Sequence, residues 1–394
     1  MKEIDFKWPL GFKSDGLHIG LRKEKLDFGW IVSDVPASAA GVYTTNKFCA
    51  APTALTKASI NQGHQLQAIV MNSAIANSCT GQQGQTDAQA EQKLVADKLS
   101  IDPSLVGVAS TGLIGAFLPM DKIEAGIQAL EPNNNFKVTE AVLTTDTHPK
   151  TISFEFEIGG QTCTMSGLCK GSGMIHPNMG TMLGFITTDA TIDGDLLQTI
   201  LSEEVDVTFN QITVDGDTST NDMVVVMANG QAQATAIRAD SEAYQTFKAA
   251  LNQVMTYLAQ QIAKDGEGAT KLVEANVTQA PTALDAQKIA KAVVGSNLVK
   301  AALFGEDANW GRIISTIGIT DADFDPATID IALNGHPVVQ QSLGLDFDEE
   351  TLKIALQADK IVIEINLNDG EATGQAWGCD LTYQYVQINA SYRS

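Results

Sequence analysis

Short apolar runs rich in β-branched residues recur along the chain, and the pattern around them predicts its elements. "LQAIVM" (66–71), "LVGVA" (105–109), "MVVVMA" (223–228) and "KIVIEINL" (360–367) read as strands, and the alternation in "TISFEFEI" (151–158) is that of a strand with one buried face. The clearest helix opens at Ser241 as N-cap, carries Tyr244, Phe247, Leu251, Val254, Leu258 and Ile262 on one stripe, and stops at "KDGEG". Further helices are expected at 87–99, 121–130, 196–205 and 284–294. There is no internal repeat and no low-complexity linker. Strands that alternate or fall in hairpin-like pairs favour an α+β layered sheet over a strict βαβ series. No single position announces a domain boundary; the candidate is "TQAPTALD" (278–285), where a Pro-containing polar stretch separates a strand from a helix.

At 394 residues the chain exceeds the size at which one core usually keeps growing, so two subdomains or one large layered domain are expected. A formal net charge of -22 argues against nucleic acid and anionic membranes, which need a basic footprint, and favours small-molecule partners. Five cysteines with no C-x-x-C spacing suggest a reducing compartment and no zinc framework. The start "MKEIDFKWPLGF" does not have the form of a secretory signal, and no apolar run is long enough to span a bilayer. A cytoplasmic, soluble protein is the expectation.

Several site types are excluded by spacing. The five histidines form no H-x-x-x-H or H-E-x-x-H, "DGDTSTND" (215–222) lacks the Gly and Glu of a calcium loop, and "KGSG" (170–173) matches neither a P-loop nor a dinucleotide fingerprint. No metal is expected. "NMGTMLGFITTDA" (178–190) places Gly180-Thr181 between a loop and a buried strand. Were that peptide cut, Thr181 would carry an α-amine of pKa about 8 beside its own hydroxyl, so one residue would supply nucleophile and base. Gly180 suits the strained backbone such a cut requires. "VASTGLIG" (108–115) offers oxyanion donors at Thr111 and Gly112, where a strand ends in a sharp turn. From local pattern alone, both remain open to a plain reading as a strand-opening threonine and a strand-ending turn.

Longer stretches decide between these readings. "CKGSGMIHPNMGTML" resembles the signature of the ornithine acetyltransferase (glutamate N-acetyltransferase) family. So do "GVYTTNKFCAAP" (41–52), "NSCTGQQG" (77–84), "STGLIG" (110–115), "TTDTHPK" (144–150), "DGDTSTNDM" (215–223), "DGEGATKL" (265–272), "DANWGRI" (307–313) and "GCDLTYQYVQINASYRS" (378–394), in the family's order and nearly from end to end. The resemblance implies a self-cleaving enzyme of arginine biosynthesis, cut between Gly180 and Thr181 into an α chain (1–180) and a β chain (181–394). It also implies a layered αββα sandwich similar to N-terminal-nucleophile hydrolases, with a smaller C-terminal subdomain from about 280, and an α2β2 heterotetramer in the cytoplasm.

By position, the resemblance makes Thr181 the nucleophile and Thr111 with Gly112 the oxyanion hole, while Thr144, Lys170, Thr181, Glu267, Asn389 and Ser394 bind substrate. The implied reaction moves acetyl from N2-acetyl-L-ornithine to L-glutamate, with no cofactor; acetyl-CoA is a donor for some members. The chain departs from the pattern at Gly180, where Ala is usual, at Ser394, where Thr is common, and in "NSAIANSCTG" (72–81 spans it). The opposed side-chain charges of the two substrates suggest Glu267 for the ornithine ammonium and Lys170 for the glutamate carboxylate. The alternatives are a related self-processing aminopeptidase or amidase with water as acceptor, and a non-catalytic binding protein with a structural Thr181.

Overall fold

The computed structural model describes residues 1–176 and 182–391, which divide into two compact units. The first comprises 1–171, 182–206 and 218–258; the second comprises 172–176, 207–217 and 259–391.

In the first unit, strands β1 (Lys2–Ile4), β2 (Phe12–Leu17), β3 (Phe28–Tyr43), β4 (Gln65–Asn72), β5 (Val106–Ser110), β6 (Lys150–Ile158), β7 (Gln161–Lys170), β8 (Leu183–Thr188) and β9 (Met223–Ala228) form one sheet, ordered β1-β6-β7-β8-β9-β3-β4-β5 with β2 beside β3. The helices are α1 (Ala51–Gly63), α2 (Gly81–Leu99), α3 (Met120–Ala129), α4 (Val138–Ala141), α5 (Gly194–Val207) and α6 (Glu242–Lys264).

The long strand β3 makes this sheet into two layers. Its first half pairs with β2 and β4, its last six residues pair with β9, and the register breaks between Val32 and Ala37. Pro36, which has no N–H to donate, lies in that break. Alternation then sorts side chains by face. Ile31, Ile69 and Met71 from one half pack with Leu183, Phe185, Met223 and Val225 from the other in a core between the layers. Trp30, Val32, Ala68 and Val70 face outward to Val95 of α2 and Ile123 of α3.

On the other outer face, α6 lies against β6 and β7. Phe156 meets Phe247 edge to face at 6.3 Å, and a Cβ on Gly167 would stand 2.6 Å from Val254. The order helix, sheet, sheet, helix is the αββα layering expected. The open edge of β5 is closed by α1: Thr56 donates to the Val108 carbonyl and accepts from its N–H, both at 2.7 Å.

The predicted strands and helices are present, with one displaced boundary. Helix α2 begins at Gly81 rather than 87. Its first two turns, "GQQGQT", carry no apolar stripe and are held instead by Asn77, whose Nδ2 donates to the Gly84 carbonyl (2.9 Å). A Cβ on Gly84 would collide with Thr80 Oγ1 and Asn77 Oδ1.

The second unit holds a mixed sheet of β10 (Leu272–Ala280), β11 (Asp330–Leu333), β12 (His336–Gln340), β13 (Leu343–Gly344), β14 (Lys360–Asn366) and β15 (Ala372–Cys379), ordered β13-β12-β11-β14-β10-β15. Around it are α7 (Ala283–Gly295), α8 (Asn297–Phe304), α9 (Trp310–Gly318), α10 (Glu349–Ala355) and α11 (Tyr383–Ala390). Val273, Ala275 and Val277 pack with Ile289 and Val293 in its core. The stretch 278–285 is not a boundary. It joins β10 to α7 inside this unit, with Thr282 accepting from the Asp285 N–H to cap the helix. Among the described residues no helix is long and apolar enough to cross a membrane.

Glu91 of α2 is fully buried, and neither carboxyl oxygen has a hydrogen-bond partner. Burial, with Asp87 one turn away, pushes its pKa up to about 8. The unfolded chain releases this proton above pH ~4.3 and the folded chain keeps it to about 8, so stability falls as pH rises through that window. Urea titrations should find Glu91→Met more stable than the parent at neutral pH. The gap should widen towards pH 8 by up to about 1.4 kcal/mol per pH unit; a gap independent of pH would contradict this.

Candidate active site

The turn after β5 is built for Gly112. Its φ is +123°, and a Cβ there would lie 2.2 Å from the Ala74 carbonyl oxygen. Asn72 organises the turn. Its Nδ2 donates to Ser110 Oγ (2.9 Å), its Oδ1 accepts from the Ala74 and Ile75 N–H groups, and its carbonyl accepts from the Thr111 N–H (3.0 Å). Asn221 braces it from β9's approach, donating to the carbonyls of Ala76 (2.6 Å) and Ser110 (2.8 Å). Neither the Gly112 N–H nor the Thr111 hydroxyl is hydrogen-bonded to another described residue. Two donors therefore remain on a rigid turn, which is what stabilising an oxyanion requires. A cavity of about 430 Å³ in the same unit is lined by residues including Cys49, Asn77, Cys79 and Thr80. The loop supplying the last three is tied to this turn, since the Gly115 N–H donates to the Ser78 carbonyl (2.9 Å).

A second cluster gathers Thr144 and the end of β7. Asp146 accepts the Thr144 N–H at one oxygen (2.9 Å), and Lys150 Nζ (2.6 Å) and the Gly171 N–H (2.7 Å) at the other. Arg22 holds the Leu143 and Thr144 carbonyls (2.5 and 2.9 Å). The Asp146 and Lys150 side chains are fully buried. Burial pushes the Asp146 carboxyl up, but the charges of Lys150 and Lys170 and these hydrogen bonds outweigh it and hold the pKa at about 2. Asp146 thus accepts from the Thr144 N–H and feels the Lys170 charge, linking two residues 26 apart in sequence.

Gly180 and Thr181 lie outside the described residues, as does Ser394. The chain on the far side of Thr181 is firmly placed. Met182 is buried and its carbonyl accepts the Met223 N–H (2.9 Å), after which β8 runs parallel to β9.

In the second unit the structure brings Glu267 and Asn389 together, with Asn389 Nδ2 donating to Glu267 Oε2 (2.7 Å) and to the Tyr385 carbonyl (3.0 Å). The Glu267 N–H donates to the Ser172 carbonyl (2.9 Å), and a Cβ on Gly173 would stand 2.4 Å from the Glu267 carboxyl carbon. Of the glycines of "KGSG", Gly173 is explained by its neighbour Glu267, whereas Gly171 gives Asp146 only its backbone N–H. Burial, with the charges of Asp215 and Glu267, pushes the Tyr385 phenol far up, so it stays protonated and donates to Asp215 (3.3 Å). Among the described residues no group of three or more His, Cys, Asp or Glu side chains is placed to hold a metal ion.

A model of the ArgJ family matches residues 13–394. The chain belongs to this family. The arginine biosynthesis bifunctional protein ArgJ of Lactiplantibacillus plantarum is 63% identical over 391 residues, covering 99% of this chain and 97% of that one. The protein of the same name from Streptococcus thermophilus is 53% identical over 397 residues, covering all of both. A solved structure of the arginine biosynthesis bifunctional protein from Bacillus halodurans is 51% identical, covers 52% of this chain and 97% of its own, and has a TM-score of 0.51.

The supporting residues Asn72, Asp146 and Asn221 escape a motif reading that looks for nucleophiles and charges, although each sits within or next to a family stretch. Their signal is the Asx-rich turn, which in sequence looks like any loop. Lys150→Met should leave the Asp146 charge buried without its main partner. In urea unfolding it should cost about 3–5 kcal/mol, against roughly 0–1 for an exposed ion pair; a loss within the exposed range would contradict the geometry.

Proposed function

We propose that this ArgJ-family chain is an acetyltransferase that moves the acetyl group of N2-acetyl-L-ornithine to L-glutamate, by way of an ester on Thr181. The observation that carries the reading is the Gly112 turn, with two unspent donors, in a chain whose family match runs nearly from end to end. The enzyme first matures itself. The Thr181 hydroxyl attacks the Gly180 carbonyl, the peptide nitrogen leaves as the free α-amine, and water hydrolyses the resulting ester to give chains 1–180 and 181–394. The solved relative's chain, matching about half of this one, is comparable in length to such a product.

In the mature enzyme the Thr181 α-amine, of pKa about 8, takes the hydroxyl proton as Oγ attacks the acetyl carbonyl. The Thr111 hydroxyl and Gly112 N–H receive the oxyanion. The tetrahedral adduct collapses, ornithine leaves with the proton on its amine, and the acetyl group stays on Oγ. Glutamate's amine then attacks the ester to give a second, analogous tetrahedral adduct, from which Thr181 Oγ leaves and takes back its proton, with the acetyl group now on glutamate nitrogen. An amide is exchanged for an amide, so the cycle is nearly balanced, and its hazard is water. Glu267, held by Asn389, pairs with the ornithine ammonium; Lys170 pairs with the glutamate side-chain carboxylate. Thr144 and Ser394 complete the substrate contacts. An α2β2 assembly in the cytoplasm belongs to the same reading, as does acetyl-CoA as a second donor, which the word "bifunctional" in the relatives' names supports.

Ornithine release from acetylornithine, followed with and without glutamate, separates transfer from hydrolysis. Sustained release should require glutamate; equal rates without it would indicate an amidase. Gly112→Ala should lower kcat about 10²–10³-fold, the usual cost of a displaced oxyanion donor. Glu267→Gln should raise the KM for acetylornithine more than that for glutamate, and an equal effect on both would overturn the division of charges.

A further inference from the structure

Helix α7 buries one face and turns the other to a cavity. Ile289 and Val293 pack in the core of the second unit. Lys288, Lys291, Ala292 and Gly295, spaced i, i+3, i+4 and i+7 and so on one face of the helix, line a cavity of about 640 Å³ within that unit. None of them takes part in the reaction above. Thr316 of α9 and Thr320 beyond it also line the cavity, and their hydroxyls donate to the Arg312 and Ile317 carbonyls (2.8 and 2.7 Å). Ser296, between α7 and α8, is a further lining residue. Its Oγ accepts the Val299 N–H (3.4 Å), which leaves the hydroxyl proton to donate.

The cavity carries more positive charge than negative, in a protein of net charge -22. Asp321 is the one carboxylate among its lining residues, and it is bonded to Lys288 (3.1 Å). Lys291 is half-buried, and burial pushes its ammonium down to about 8. His176, on the same cavity, is pushed down to about 4, by burial first and then by the Lys291 charge, against the pull of Asp215. Its Nδ1 lies 3.0 Å from Thr213 Oγ1, which donates to the Ile175 carbonyl (3.2 Å). Basic groups gathered away from water disfavour their own charged forms, and an entering anion relieves that cost. An ammonium has three donors, so an anion can join the partners Lys291 already has.

The shape of the donor set selects among anions. The two ammoniums come from α7 and the spare hydroxyl from the turn before α8, so they converge from different directions, which suits the tetrahedral oxygens of a phosphoryl group better than the two coplanar oxygens of a carboxylate. Lysine binds phosphate well as a point charge. The volume also exceeds what phosphate alone requires, and Ala292 and Ile319 add apolar wall for an organic body of about nucleotide size.

We propose that this cavity is a binding site for a phosphate-bearing ligand, with Lys291, Lys288 and Ser296 meeting the phosphate and Ala292 and Ile319 bounding the rest of the molecule. The site stands independently of the acetyl-transfer reading. Two sources share its chemistry: the phosphates of the second donor, acetyl-CoA, and a separate phosphorylated metabolite.

Calorimetric titration of the full-length protein with inorganic pyrophosphate, at constant ionic strength and without divalent metal, tests it. One site per chain is expected, and Lys291→Met should weaken it about tenfold or more, as the loss of a charged hydrogen bond does. Lys288→Met should weaken it less, because Asp321 competes for that ammonium. Absence of binding, or binding that Lys291→Met leaves unchanged, would overturn the proposal. Should Lys291→Met not fold, spectra of the parent protein with carbon-13 lysine provide a second readout. The lysine that titrates near pH 8 should titrate higher once pyrophosphate is added, and an unmoved titration would overturn the proposal. Coenzyme A then distinguishes the sources, and either result supports the site: displacement of pyrophosphate assigns the cavity to the donor's phosphates, and undisturbed pyrophosphate assigns it to a separate metabolite.

Discussion

Buried charge that is satisfied in one direction only organises the first unit. The Asp146 carboxylate, sealed from water, must find donors inside the protein, and it takes them from Thr144, Lys150 and Gly171. Those bonds fix the turn that carries Thr144 to the point where β7 ends at Lys170. Because breaking any of them leaves part of a buried charge unsatisfied, the geometry is enforced more strongly than its net contribution to stability would suggest.

The Gly112 turn obeys a steric constraint in place of an electrostatic one. Gly112 must be glycine because Ala74 occupies the space of a side chain, and Asn72 and Asn221 supply the bonds that keep Ala74 and Ser110 where they are. The result is a pair of donors on a preorganised turn, the kind of arrangement that stabilises developing negative charge without reorganisation. In the second unit Asn389, on α11, is bonded to Glu267 in the loop before β10, across more than a hundred residues of chain. The Thr144 cluster and the Glu267–Asn389 pair are thus each ordered within a single unit.

Much of this was legible in the sequence. β-Branched runs marked β4, β5, β6, β9 and β14 to within a residue or so, because strand periodicity is local. Thr111-Gly112 was visible as a strand-ending turn. What was not legible depends on partners distant in sequence. Asn77 holding the start of α2, Asp146 receiving Gly171, and Glu267 filling the space beside Gly173 all join residues whose separation gives no pattern. The division into units was hidden for the same reason: 172–176 and 207–217 leave one unit for the other without any change in composition.

The central claim is that Thr181 is both the point of cleavage and the carrier of the acetyl group. Denaturing intact-mass measurement of the purified protein, before and after brief incubation with N2-acetylornithine and no glutamate, tests it most directly. The account predicts two fragments that meet at Gly180 and Thr181, with one acetyl group added to the C-terminal fragment alone. A single uncut chain that acquires no acetyl group would contradict it.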